Sequence, residues 1–356
     1  MARVPISGIG VIAPGAIGVA AFRELLAGGG TAIDTIDRFD TSGLSAKKAA
    51  LVRDFRPKEF IAPMKMRRMN ALSRLGVAAA RLAIEDCGGA LSAETGVAIG
   101  TAFGPVQTSV EYMQEYVEKG AALAPPQLFA ESVANAPGSH IAIEWGLRGF
   151  NVTITQRESS ALAAAMYAAT QIVKGSTAAA LIGGVEEANE MLFSVLDRIG
   201  ALAHDGRADG ITLGEGGAML VANAGTRKPY GWLAGFGIAR DTTAPISDWG
   251  SDPASVVAAM RGAMDDAEVR KIDAVFVSAN GSRRGDELER RALGELFGDI
   301  ETVPTKQVFG EYAAGGALQL VAALVALDEG RYDNVLVNSL SAGGGIVCAV
   351  LSREDA

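Results

Sequence analysis

The stretch NVTITQRESSALAAAMYAATQIVKGSTAAALIGGVEE, residues 151–187, decides how the chain folds. It opens with Val152-Thr153-Ile154-Thr155, whose alternation predicts a half-buried strand. Gln156-Arg157-Glu158 is a polar turn. Ser159 to Lys174 is almost entirely small or apolar and predicts a buried helix, with Gly175 as its stop signal. A second strand is expected over Ala178–Ile182, ending on a turn at Gly183-Gly184. A tight turn between a strand and a buried helix is a frame for a reactive group, because the helix N-terminus offers unpaired N–H groups and the positive end of its dipole. The residue in that frame is Glu158, not Ser or Cys.

Working outward, the 356 residues are enough for about two domains. Apolar residues make up 49% of the chain, yet no uninterrupted run reaches the roughly 20 residues of a membrane span. MARVPISGIGVIAPG runs directly into a strand and lacks the pattern of a signal peptide. The expectation is a cytoplasmic protein with no membrane partner. The net charge of −9 and the absence of a long basic run exclude the broad cationic footprint that nucleic acid requires. The densest basic cluster is Lys65-Met66-Arg67-Arg68.

Cys87 and Cys348 have no metal-ligand spacing and read as buried thiols, so no metal site is expected. His140 and His204 are the only histidines, too few for a Ser–His or Cys–His nucleophile system. Gly8-Ile9-Gly10 lacks the third glycine of a dinucleotide fingerprint, and Pro14 stands where a helix should receive the phosphate. No cofactor is expected.

Strands are predicted over residues 3–12, Gly96–Gly100, Ala218–Ala222, 232–239, Ala274–Ser278 and Asn334–Asn338, with Pro304-Thr305-Lys306 as a further strand end. Between them fall helices at Asn70–Asp86, Val106–Glu118, Leu192–Leu202, 253–267, 285–297 and 315–328. Both halves alternate strands with helices and close on a glycine turn and a strand. That echo predicts a duplicated α/β unit with mixed sheets covered by helices, divided into residues 1–225 and 226–356.

Taken together, these residues resemble the β-ketoacyl synthase family. VPISGIGVIAPG is similar to its first strand and turn, residues 151–187 to its nucleophile elbow with the following GG-x-E, and LGEGGAMLV (213–221) to its Gly-Glu-Gly strand. ANGSRRGDELE (279–289), PTKQVFGEYAAGGAL (304–318) and NSLSAGGG (338–345) are similar to its two histidine loops and its closing glycine loop. The resemblance implies the thiolase fold, two similar halves layered α-β-α-β-α.

The family's catalytic residues do not carry over. Its elbow Cys is replaced by Glu158, its first His by Asn280 and its second by Glu311, while Lys306 matches the family lysine. A thiolate attacks a thioester and leaves again. A carboxylate is a poor nucleophile here and would give an anhydride that water destroys. Asn280 cannot take a proton, and an anionic Glu311 would repel an enolate. Lys306 is expected to pair with Glu311 or Glu158, leaving Glu158 as a permanent anion in the inherited frame. His140 lies where the family has no catalytic residue and reads as a packing or polar contact.

One subfamily fits better, the chain length factor of type II polyketide and polyene synthases, which also lacks the elbow Cys. Its tunnel-gating positions fall at Val106, Ser109 and Met113, spaced i, i+3, i+7 on one helix face; the alternative is that this face is ordinary core. Ala342 stands where active synthases carry a Phe gate. The loops Leu202–Leu213 and Gly330–Leu336 are shorter than the family norm. The implied role is a subunit without condensing activity of its own. It would form a heterodimer with an active ketosynthase across the strand near 151–156 and set chain length, with the acyl carrier protein reached through that partner. Two alternatives stay open: a decarboxylase or hydrolase using Glu158, or a pure scaffold.

Overall fold

The structure, a computed structural model, describes residues 1–355. Ten strands carry the architecture: β1 (Val4–Ala13), β2 (Gly96–Gly100), β3 (Asn151–Ile154), β4 (Ala180–Glu186), β5 (Gly216–Ala222), β6 (Gly231–Arg240), β7 (Ala274–Phe276), β8 (Glu301–Val303), β9 (Asn334–Leu340) and β10 (Gly345–Ser352). The helices that matter below are α1 (Ala71–Asp86), α2 (Val106–Lys119), α3 (Ser160–Val173), α4 (Pro253–Asp266), α5 (Arg283–Phe297) and α6 (Ala317–Asp328).

The strands pair in the order β8-β7-β9-β10-β6-β1-β5-β4-β2-β3. Within the first half the path is β3-β2-β4-β5-β1; within the second it is β8-β7-β9-β10-β6. The two paths have the same order and the same sense. In each, the three outer strands run parallel and the remaining two pairings are antiparallel. The halves join where β1 meets β6, at Val4–Leu233, Pro5–Trp232 and Ile6–Gly231.

Three hydrophobic clusters define the layers. One faces α1 against β2, β4 and β5. Another faces α4 and α5 against the second-half strands. Between the sheets lies the largest, where α3 and α6 are sandwiched. Every described side chain of α6 from Ala317 to Leu327 is buried, which explains why its sequence is apolar on all sides rather than striped. The layering is α-β-α-β-α.

Three local expectations are corrected. Gly183-Gly184 is no turn: both residues lie inside β4, where a side chain on Gly184 would collide with the carbonyl oxygen of Ala314 and one on Gly183 with that of Ala218. The glycines mark close backbone approach. The strand expected to end at Lys306 stops at Val303, and Lys306 opens a short helix, Lys306–Phe309. The helix placed over Leu192–Leu202 runs Glu190–Arg198, because Gly200 takes a left-handed φ of 71° and closes the helix C-terminus.

Candidate functional site

The elbow is built by hydroxyls. β3 leaves the sheet at Ile154, and the chain turns through Arg157, whose φ of 50° is left-handed for a residue with a side chain. Ser160 Oγ accepts from the Gln156 amide at 2.8 Å, holding the turn to the first residue of α3. From the other half, Ser339 Oγ donates to the Glu158 carbonyl at 2.9 Å, and the Ser159 and Ser341 hydroxyls are hydrogen-bonded. Gly100 of β2 lets α3 lie directly on the strand; a Cβ there would collide with the Ala161 amide nitrogen.

The Glu158 side chain is 2% exposed. Its Oε1 accepts from the Tyr312 hydroxyl at 3.3 Å, and its Oε2 has no hydrogen-bond partner. Burial, and next the negative charge of Glu311, push its carboxyl up to about 7; its own amide, Lys306 and Arg157 oppose the shift only in part. Burial thus works against the anion expected here, because the surroundings of Glu158 supply too few donors to hold the charge.

Asn280, Glu311 and Lys306 do converge. Glu311 Oε2 accepts from Asn280 Nδ2 at 2.6 Å and from Lys306 Nζ at 2.7 Å. Its Oε1 accepts from the Tyr312 amide at 2.7 Å. Lys306 and Glu311 form a buried ion pair, so of the two expected partners the lysine takes Glu311. Asn280 sits on a loop fixed by Asp286, which accepts from the Asn280 and Gly281 amides at 2.9 and 3.1 Å.

Glu158 lies in the wall of a cleft of about 1610 Å³. Phe103, Trp249, Tyr312 and Ala342 line it too, with Arg157, Arg207, Arg283, Arg284 and Arg290 among its charged residues. The small Ala342 thus faces this cleft. The loop after Leu202 forms the adjoining wall, tightened by bridges between Leu202 and Ile211 and between His204 and Arg207.

Val106, Ser109 and Met113 are brought together, but not in an enclosed tunnel. They line an open apolar groove of about 600 Å³ along α2, with Phe103, Val110, Val117 and Met191. Only Thr108 of α2 is buried, and Met113 and Val117 are 52% and 75% exposed. The alternative of an ordinary core face is excluded. Ser109 turns its hydroxyl to the Pro105 and Ser132 carbonyls, both at 3.0 Å. His140 makes the polar contact expected of it, with Nε2 2.7 Å from Glu131 Oε1.

The sequence reading missed Tyr312 and the role of Glu186. Tyr312 has a φ of 64° and stands between Glu158 and Phe103; a tyrosine carries no signal for a left-handed position. Glu186 is the acid of the GG-x-E motif. It accepts from Thr101 Oγ, the Ala102 amide and the Phe103 amide at 3.1, 2.6 and 3.2 Å, and so fixes the turn that carries Phe103.

Five layers with a central pair of helices, an elbow at the head of one of them and two loops converging on it define the class of thiolase-like folds. The chain belongs to the β-ketoacyl synthase family: the model of that family's N-terminal domain matches residues 1–225 and that of its C-terminal domain residues 230–337. It has the thiolase fold. It is 29% identical to the 3-oxoacyl-[acyl-carrier-protein] synthase 2 of Vibrio harveyi, over 92% of this chain and 86% of that one. It is 30% identical to the ketoacyl synthase alpha subunit of the tetracenomycin polyketide synthase of Streptomyces glaucescens, over 92% and 85%. The solved ishigamide ketosynthase/chain length factor superposes with a TM-score of 0.88 at 25% identity, covering 99% of each chain. Among the described residues no helix is long and apolar enough to cross a membrane.

Proposed function

We propose that this chain is a catalytically silent, ketosynthase-like subunit of the chain length factor type, with residues 1–225 and 226–356 as its two halves. It pairs in the cytoplasm with an active ketosynthase and shapes the tunnel in which a polyketide or polyene grows. The observation that carries this reading is the elbow itself. The family frame is intact, yet its reactive position holds a buried carboxyl, and the loops opposite present an amide and a lysine-paired carboxylate. The chain's two thiols, Cys87 and Cys348, are buried in the outer clusters, Cys87 with α1 and Cys348 with the second-half strands. Neither histidine lines the cleft.

Two surfaces support a partner. β3 is the last strand of the sheet path and has no neighbour on its outer side among the described residues. An edge of this kind is a template for pairing with another chain. The apolar groove on α2 is likewise a wall with one side missing. Co-expression with candidate ketosynthases, followed by size analysis and condensation assays, tests the reading. A one-to-one heterodimer whose product length responds to Val106→Phe or Ser109→Phe supports it; a stable, active homodimer sinks it.

A second reading draws on one specific observation. Burial pushes the Glu158 carboxyl up to about 7 and leaves one of its buried oxygens without a hydrogen-bond partner, as in a proton-handling group. Decarboxylation of a malonyl carrier protein, or hydrolysis of an acyl one, by the lone subunit and its loss in Glu158→Ala would establish this activity.

A further inference from the structure

Two cavities meet at one pair of rings. Phe103 lines both the cleft that holds Glu158 and the apolar groove along α2. Tyr312, on the cleft side, stands against it with ring centroids 4.8 Å apart and an interplanar angle of 71°. We propose that Tyr312, held by Glu158 and set edge-on against Phe103, is the partition between cleft and groove and fixes how far an acyl chain entering the cleft can extend.

The two rings are anchored differently. The turn that carries Phe103 is clamped on Glu186 by the Thr101 hydroxyl and the Ala102 and Phe103 amides, so the Phe103 ring pivots from a fixed point. Tyr312 sits in the left-handed region with φ 64° and ψ −5° at the head of a tight turn. Such a conformation persists only where its surroundings impose it. Its amide is held by Glu311, and its hydroxyl is held by Glu158 Oε1 alone, at 3.3 Å. Swinging the Tyr312 ring aside therefore costs a single long hydrogen bond. Tyr312 is the leaf of the partition and Glu158 its catch.

The chemistry on the two sides differs as an amphiphile requires. The cleft is lined by five arginines and five carboxylates, a charged wall suited to a polar head. The groove beyond Phe103 presents Val106, Val110, Met113 and Val117, suited to hydrocarbon. A chain that passed the rings would gain apolar burial with each added carbon, and one stopped by them would gain nothing.

The proposal rests on the reading that the cleft takes acyl chains, and its test uses the full chain without any partner. Affinities of butanoyl, octanoyl, dodecanoyl and hexadecanoyl pantetheine are measured for the wild type, Tyr312→Phe and Tyr312→Ala, with circular dichroism to confirm folding. In the wild type the affinity climbs with length and then levels. In Tyr312→Ala it keeps climbing, by up to about fourfold for each further CH2 buried. Tyr312→Phe keeps the ring and loses the catch, so its plateau lies at an intermediate length. If Tyr312→Ala does not fold, Phe103→Ala opens the same passage and gives the same readout. A wild type without a plateau, an open variant with the wild-type plateau, or no acyl binding by any of them overturns the proposal. The chain length factor reading is decided separately, by copurification with a ketosynthase.

Discussion

Replacing Glu158 by Gln isolates the consequence of burying a carboxyl in the elbow. The shape of the side chain is kept, and the amide oxygen still accepts from Tyr312. In the unfolded chain the carboxyl titrates near its ordinary value of 4.5; in the folded protein burial and Glu311 move it to about 7. The folded state therefore binds the extra proton between those two values, and the sign follows from linkage: stability is fully present below pH 4.5 and is lost as pH rises through 7. The difference corresponds to about 3 kcal/mol. Gln carries no proton to lose. Urea unfolding from pH 4 to pH 9 should thus give two curves that run together in acid, diverge as pH rises from 4.5 through 7 and stay apart beyond it, with Glu158→Gln more stable by about 3 kcal/mol at the alkaline end. A difference that does not change with pH, or a variant that loses stability more steeply than the wild type above pH 7, would refute the reasoning and point to a donor that stabilises the anion.

Three further outcomes are expected. Lys306→Met leaves Glu311 buried without its cation and should cost about 3–5 kcal/mol in denaturant unfolding; a loss below about 1 kcal/mol would mean that Asn280 and the Tyr312 amide suffice. Gly100→Ala drives a methyl group into the head of α3, so it should lower the melting temperature through a loss of at least about 1–3 kcal/mol, and an unchanged melting temperature would contradict the packing described. Ser109→Phe fills the groove on α2 and should shorten the products of the reconstituted pair, which mass spectrometry of those products checks.

Much of the architecture was legible because its signals are periodic. The alternation at residues 152–155, the small-residue run to Lys174 and the apolar stripe of residues 70–86 gave elements that stand within a residue or two of their expected places. Glycine was harder to read. Gly200 ends a helix through its positive φ, whereas Gly183 and Gly184 stand in a strand because another backbone passes over them, and a sequence offers the same letter for both reasons. At the site, the positions of Asn280, Glu311 and Lys306 followed from the resemblance of their loops to the family's motifs, and Glu158 from the strand-turn-helix frame as well. Their partners did not, since whether Lys306 reaches Glu311, five residues on, or Glu158 in the other half is decided by side-chain geometry. Tyr312 was invisible for the same reason: its importance lies in which two side chains it touches. The α2 stripe showed a further limit. Its i, i+3, i+7 spacing fits a buried face and an unpartnered surface groove equally, and only the neighbouring elements decide between them.

The most direct test of the account's central claim is condensation by reconstituted proteins. This chain alone, a candidate ketosynthase alone and the two co-expressed are each given acyl and malonyl carrier protein, and elongated products are counted by mass spectrometry. The account predicts no elongation by this chain alone and elongation by a one-to-one complex, abolished when the elbow cysteine of the ketosynthase is replaced but not when Glu158 is changed to Ala. Elongated product from this chain by itself, lost in Glu158→Ala, would contradict it.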